Sequence, residues 1–170
     1  MNIVEQLTLQ GVDKGLCSDF QNKIKNSKMS IRYLAKLMKQ GIDFCVMYDY
    51  PTLEMLRSNF RGKADEYGIF IDGTAHEKNK DIILNGESKA FLHYDGYTVN
   101  SVYVRHDSQA SICVSENASV RIDVFDNSYV AISKHGEHSE VSVSVYGTDA
   151  KIDLIGEGIK VDYITDKKHY

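Results

Sequence analysis

Set out in tens, the sequence aligns with itself: Ile82, Leu92, Val102, Ile112, Ile122 and Ile132 share one column, and Leu84, Tyr94, Val104, Val114 and Val124 stand two places further on. A fixed period constrains a chain more than any local propensity, because it calls for one unit stacked on its neighbours. Within a unit, Ala110, Ile112 and Val114 alternate with Ser111 and Cys113, which is the period of a strand buried on one face. Turn formers fill the rest, as in Glu116-Asn117-Ala118 and Asp126-Asn127-Ser128. Small residues recur at the eighth place (Ser88, Thr98, Ser108, Ala118, Ser128), which marks a tight corner.

Two architectures satisfy the alternation. A β-solenoid would use two ten-residue units per coil with parallel strands, and an antiparallel β-sandwich would use one strand and one turn per unit. The solenoid is the better account, since stacked coils repeat residue types at matching positions and sandwich strands need not. The expected fold is therefore α+β, an N-terminal helical cap followed by a right-handed parallel β-solenoid, the hand being extended from the crossover rule of other parallel folds. The antiparallel sandwich stands as the alternative.

The first 60 residues read as helices, and from Tyr67 the pattern turns strand-like, with Tyr67 to Ile71 running into the Asp72-Gly73 turn pair. Ser30 caps a segment in which Ile31, Leu34, Ala35 and Met38 recur at helical spacing, and Gly41 stands where a left-handed C-terminal residue belongs. Pro51 suits the first turn of a further helix carrying Leu53, Leu56 and Phe60. Between them, Phe44 to Tyr50 reads equally as a buried helix or a strand. The stretch from His76 to Lys80 is expected to be a polar loop holding the junction, which divides the chain into a helical domain at 1–74, a solenoid at 75–164 and a charged tail at 165–170. The register falters after Ile132: Lys134 falls in an inward column, and the pattern resumes at Val141, so a looped-out stretch is expected around His135 to Glu140.

Charge is uneven. Residues 1–70 carry ten Lys/Arg against eight Asp/Glu, and residues 71–170 carry ten against sixteen, so the repeats are too acidic to lie along a polyanion. Cys17, Cys45 and Cys113 are odd in number and contain no CxxC pair, which argues against a disulfide framework and fits a reducing cytoplasm. Glu5 interrupts the start where a secretory signal would be apolar, and no membrane-spanning run is present.

The turns Glu116-Asn117-Ala118-Ser119-Val120 and Asp126-Asn127-Ser128-Tyr129-Val130 resemble the D-N-A/S-x-V short repeats of bacterial and prophage β-solenoid proteins, over about residues 91–155. The resemblance implies a solenoid from a bacterium, prophage or mobile element, and it transfers no catalytic residue. The six-residue period of hexapeptide acyltransferases is absent.

Candidate chemistry is sparse. His135 and His138 sit where the repeat breaks and are weak candidate metal ligands, with Asp126 or Glu137 as a third donor; a polar surface loop is the plainer reading. Cys113 and His93 would share a face one coil apart, as a nucleophile and base must, but no oxyanion site accompanies them. Asp107, Asp123 and Asp126 have the residue types of a glycosidase pair, and also of ordinary acidic turns. Tyr103, Phe125 and Tyr129 are the candidates for an outward aromatic strip that would meet a protein or, less favoured, a glycan. Arg32, Lys36 and Lys39 make one face of the Ser30 helix basic, which would suit phosphates or an acidic protein, although a solvated face explains it too. No cofactor motif is present. The expected function is a non-enzymatic structural or protein-interaction module that binds a protein partner or associates with further copies of itself; the alternatives are a nucleic-acid-associated regulator and a glycan-binding module.

Overall fold

The computed structural model describes residues 1–166, and the last residues of the expected charged tail lie outside them. Five helices lead: α1 Ile3–Asp13, α2 Ser18–Lys25, α3 Ile31–Gln40, α4 Ile42–Tyr48 and α5 Leu53–Asn59. After a 3-10 turn at Asp65–Tyr67 come β1 Ile69–Ile71, β2 Thr74–Lys78, β3 Ile82–Asn85, β4 Lys89–Tyr94, β5 Val99–Val104 and β6 Gln109–Val114. The series ends with β7 Ser119–Val124, β8 Tyr129–Lys134, β9 Glu140–Tyr146, β10 Lys151–Ile155 and β11 Ile159–Ile164. Odd strands form one sheet, in the order β1-β3-β5-β7-β9-β11, and even strands the other, β10-β8-β6-β4-β2. Every pairing is parallel, and one coil is one strand from each sheet. The protein is an α+β chain whose parallel β-solenoid follows a helical cap, and the sandwich alternative is excluded.

The columns become ladders. Ile112 pairs with Leu92 and Ile132, and Ile122 with Val102 and Val143, so the aliphatic rows read from the sequence are stacked layers of one core. Each inward Val, Ile or Leu removes apolar surface worth roughly 1.5–3 kcal/mol, most of it offset by the entropy of ordering the chain. The step from Ile122 to Val143 is one residue longer than the step from Val102 to Ile122, and the 135–139 segment, with Gly136 at φ 86°, absorbs the extra residue.

Corners explain the turn chemistry. At one, Asp72, Gly86, His106 and Asp126 stack with φ of 49°, 69°, 60° and 57°; at the other, Glu116 adopts φ 57° and Gly136 φ 86°. This left-handed step reverses the chain, and Ser108 N–H and Ser128 N–H close their turns on the carbonyls of Arg105 and Phe125. A left-handed residue turns its own N–H away from the turn, and the next coil supplies an acceptor. Gly86 N–H donates to His106 Nδ1, His106 N–H to Asp126 Oδ2, and Gly96 N–H to Glu116 Oε2. At the first of these corners the small eighth residue is a buried serine, and in two coils its hydroxyl bonds the coil below: Ser108 Oγ donates to the Gly86 carbonyl at 3.0 Å and Ser128 Oγ to that of His106 at 3.3 Å.

Several expectations are corrected. His76 to Lys80 is largely strand β2, with the first coil already begun at β1, so the sheets start before residue 75. Phe44 to Tyr48 belongs to α4, Pro51 precedes the Thr52 N-cap of α5, and Gly41 has φ −109° rather than a left-handed conformation. Ser30 does cap α3, its hydroxyl accepting from Tyr33 N–H.

Candidate functional site

Helices do not surround the solenoid; they cover one side of it. On the outer face of the odd-strand sheet, Ile69, Ile71, Ile83, Phe125 and Tyr146 pack into the same core as Leu34, Leu37, Cys45 and Leu56 of the cap. Phe125, expected to face outward, is 1% exposed and stacks on Tyr146 with ring centroids 4.6 Å apart; Tyr103 is half-buried against the same cluster. These two aromatics are joints of the fold and not part of an exposed strip. The alternation that placed them on the outer face was right, but the helices occupy that face.

Charge completes the joint at the corner. Arg105, 1% exposed, donates to Asn85 Oδ1 at 3.2 Å and to the Cys45 carbonyl at 3.1 Å, and its guanidinium lies 3.5 Å from Asp49. A second tie joins Arg57 of α5 to Asp72 through two bonds of 2.7 and 3.0 Å. Arg57 is the main reason the Asp72 carboxyl is held down at about 2. Burial pushes the Cys45 thiol up to about 12, so that cysteine is a core group and not a nucleophile.

Asp49, His106 and Asp126 meet beside Arg105, one donor atom of each lying within 4.8 Å of the others. The residue types suit a divalent cation, but His106 Nδ1 already accepts from Gly86 N–H, Asp126 accepts from His106 N–H, and Arg105 supplies positive charge to Asp49. The arrangement fits a polar knot that fastens the cap to the corner better than it fits a metal centre. Asp126 is thereby at the opposite corner of the coil from His135 and His138, which are exposed and gain no third donor among the described residues. Asp123 is buried and paired with Arg121 at 3.0 Å, so it does not work as a carboxylate with Asp107.

On the other side, the outer face of the even-strand sheet is bare. Register places Phe91, Ser111, Ala131 and Asp153 in one column and His93, Cys113, Ser133 and Ile155 in the next. Small side chains on β6 and β8 thus lie between larger ones on β4 and β10, which leaves a trough of about 410 Å³. Each wall carries one exposed apolar side chain beside a polar one, Phe91 (54% exposed) next to His93 and Ile155 (70%) next to Asp153. His76 stacks on Phe91 at 5.0 Å and stiffens that wall. Tyr129 flanks the floor, its hydroxyl donating to Asp153, and that hydrogen bond raises the phenol's pKa. His93 on the wall and Cys113 on the floor are indeed register partners, yet the imidazole's partner is Asp95, 3.3 Å away, and no hydrogen bond joins it to the thiol.

The basic face of α3 is also as read: Arg32 and Lys36 are exposed, while Leu34, Ala35, Leu37 and Met38 are buried. Lys39 turns back, donating to the Asp81 carbonyl at 3.2 Å, and burial lowers its pKa. Inside the cap, Leu16, Phe20, Leu37, Met38 and Phe60 line a mainly apolar cavity of about 360 Å³, with Gln40, Asp43 and Tyr50 also on its lining, the Tyr50 hydroxyl being bonded to the Leu7 carbonyl. Among the described residues no helix is long and apolar enough to cross a membrane. Comparison of the chain with family models, curated proteins and solved structures returns no match.

Proposed function

We propose that the protein is a non-enzymatic interaction module that binds a protein partner in the bare trough of the even-strand sheet, in the cytoplasm of a bacterium or as part of a prophage or mobile element. The observation that carries this reading is the asymmetry of the two outer faces. One is occupied by the chain's own helices; the other presents Phe91, Tyr129 and Ile155 around a floor of Ser111, Cys113, Ala131 and Ser133. A rigid depression with exposed aromatic walls suits one apolar anchor of a partner, since such anchors carry most of an interface's energy and are best held in preformed pockets. The free state of Cys17, Cys45 and Cys113 supports a reducing compartment.

Cys113 offers the test. It is half-buried on the trough floor, whereas Cys17 is exposed on the cap. A partner captured from source cells should shield Cys113 from alkylation and leave Cys17 reactive, and Ala131→Arg, which fills the floor, should abolish both capture and shielding. Capture that survives Ala131→Arg with Cys113 still open places the partner elsewhere. The exposed Arg32 and Lys36 support a second reading, a polyanion contact, for which binding would weaken steeply with salt and vanish in the double Glu variant.

A further inference from the structure

The two ends of the solenoid are finished differently. In the even-strand sheet, the inward column that holds Leu92, Ile112 and Ile132 begins with Glu77, which pairs with Lys80 at 2.7 Å. In the odd-strand sheet the first strand, β1, is buried against the cap. An inward charge and a covering helix are both ways to stop another strand from adding to an edge. At the far end those devices are missing among the described residues: the same inward columns hold Leu154 in β10 and Val161 and Tyr163 in β11, with Leu154 40% and Tyr163 74% exposed. Both strands are sheet edges, so their outer N–H and C=O groups are open to a further strand.

We propose that this open end is the interface with a second copy of the same chain, the two solenoids meeting end to end about a two-fold axis. Charge argues for self-pairing. Along β11 the outward residues on either side of Val161 are Lys160 and Asp162. A two-fold axis at right angles to the sheet makes β11 meet its own copy antiparallel, and pairing centred on Val161 sets Lys160 opposite Asp162 of the second copy, twice over. Opposite charges directly across a strand pair are favourable and like charges are not. Closure argues for two copies rather than a filament. The other end is already covered by Glu77 and the cap, so one isologous contact uses the open ends and leaves none for growth. Leu154 and Val161 are covered by the same contact. The inference is independent of the trough, which lies on a face of the stack and not on its end.

Sedimentation equilibrium of the full chain tests it. The expected species is a dimer in reversible equilibrium with monomer. Lys160→Asp and Asp162→Lys each set like charges opposite one another and should weaken the dimer roughly tenfold or more. The double variant Lys160→Asp with Asp162→Lys restores opposite pairs and should return affinity to near the parent value. Both positions are exposed, so folding is not at stake. Leu154→Lys, which mimics the charge at the closed end, should give monomer. A chain that is monomeric up to millimolar concentration, a species larger than the dimer, or a dimer indifferent to the two single charge variants overturns the proposal.

Discussion

Arg105 of the solenoid and Asp49 of the cap form an unequal ion pair: their charges are 3.5 Å apart, with the Arg105 side chain 1% exposed and that of Asp49 49%. Removing the guanidinium deprives two acceptors, Asn85 Oδ1 and the Cys45 carbonyl, of their donor inside the joint. Arg105→Met should therefore cost about 3 kcal/mol in chemical denaturation. Asp49→Ala should cost less, because water already reaches the carboxylate. A double-mutant cycle should show coupling of roughly 0.5–3 kcal/mol, and simple additivity would mean that the pair does not fasten the cap.

Gly86 is required by both its conformation and its surroundings. At φ 69° it sits in the left-handed region, and a Cβ there would come within 2.1 Å of Asp72 Oδ1, the oxygen bonded to Arg57. Gly86→Ala should destabilise the protein by about 2 kcal/mol or more, as backbone strain adds to a displaced ion pair. His106→Leu, which leaves the Gly86 N–H without its acceptor, takes the imidazole from beside Asp49 and Asp126 and puts a leucine at φ 60°, should cost about 1–2 kcal/mol or more. Equal stability of Gly86→Ala and the parent by thermal melting would contradict this account of the corner.

Acid sensitivity follows from Asp72. Its carboxyl titrates near 2 in the folded protein, chiefly because of Arg57, against about 3.9 in an unfolded chain. A depressed folded value means the contribution is complete above about pH 4 and is lost as pH falls through 2. Solvent screening of Arg57, which is 43% exposed, keeps it to about 1 kcal/mol or less. Stability measured between pH 5 and 2 should fall less in Asp72→Asn than in the parent; parallel curves would remove Asp72 as a source.

Removing whole coils probes the stack. Deleting residues 109–128 joins Ser108 to Tyr129 and lets β8 take the place of β6 on β4, since Gln109 and Tyr129 share a column. Cooperative unfolding should survive, at a lower midpoint because Phe125 is lost from the joint. Deleting only 109–118 exchanges the sheets of every later strand, carries Phe125 away from the cap, and should abolish cooperative unfolding. Equal damage from the two deletions would contradict coil-by-coil stacking.

What was legible in the sequence was what repeats. The columns through Ile112 and Ile122 are inward layers because stacking imposes the same environment every coil, and Ser30 showed its helix because capping is local. The misread elements depend on what lies across space. β2 looked like a loop because Glu77 stands in an inward column, and its reason is the end of the stack, not the strand itself. Phe125 lies on an outer face as alternation requires, yet periodicity does not say which face the helices will cover. Arg105 and His106 read as turn residues; their roles come from Cys45 and Asp49, about 60 residues earlier, and from a backbone N–H one coil below. Only the pairing of Asn85 and Arg105 in the corner column that also holds Ile71 and Phe125 could have drawn notice. The trough left no motif, since it is made by the small size of Ser111 and Ala131.

The helices seal one face of the solenoid and leave the opposite face open, and counting reactive thiols distinguishes the two faces. Titration of the native protein with an aromatic disulfide reagent should show Cys17 and Cys113 reacting promptly, and Cys45, buried beneath the Arg105 joint, reacting only on denaturation. Prompt reaction of Cys45, or a Cys113 that stays closed in the monomer, would contradict the account.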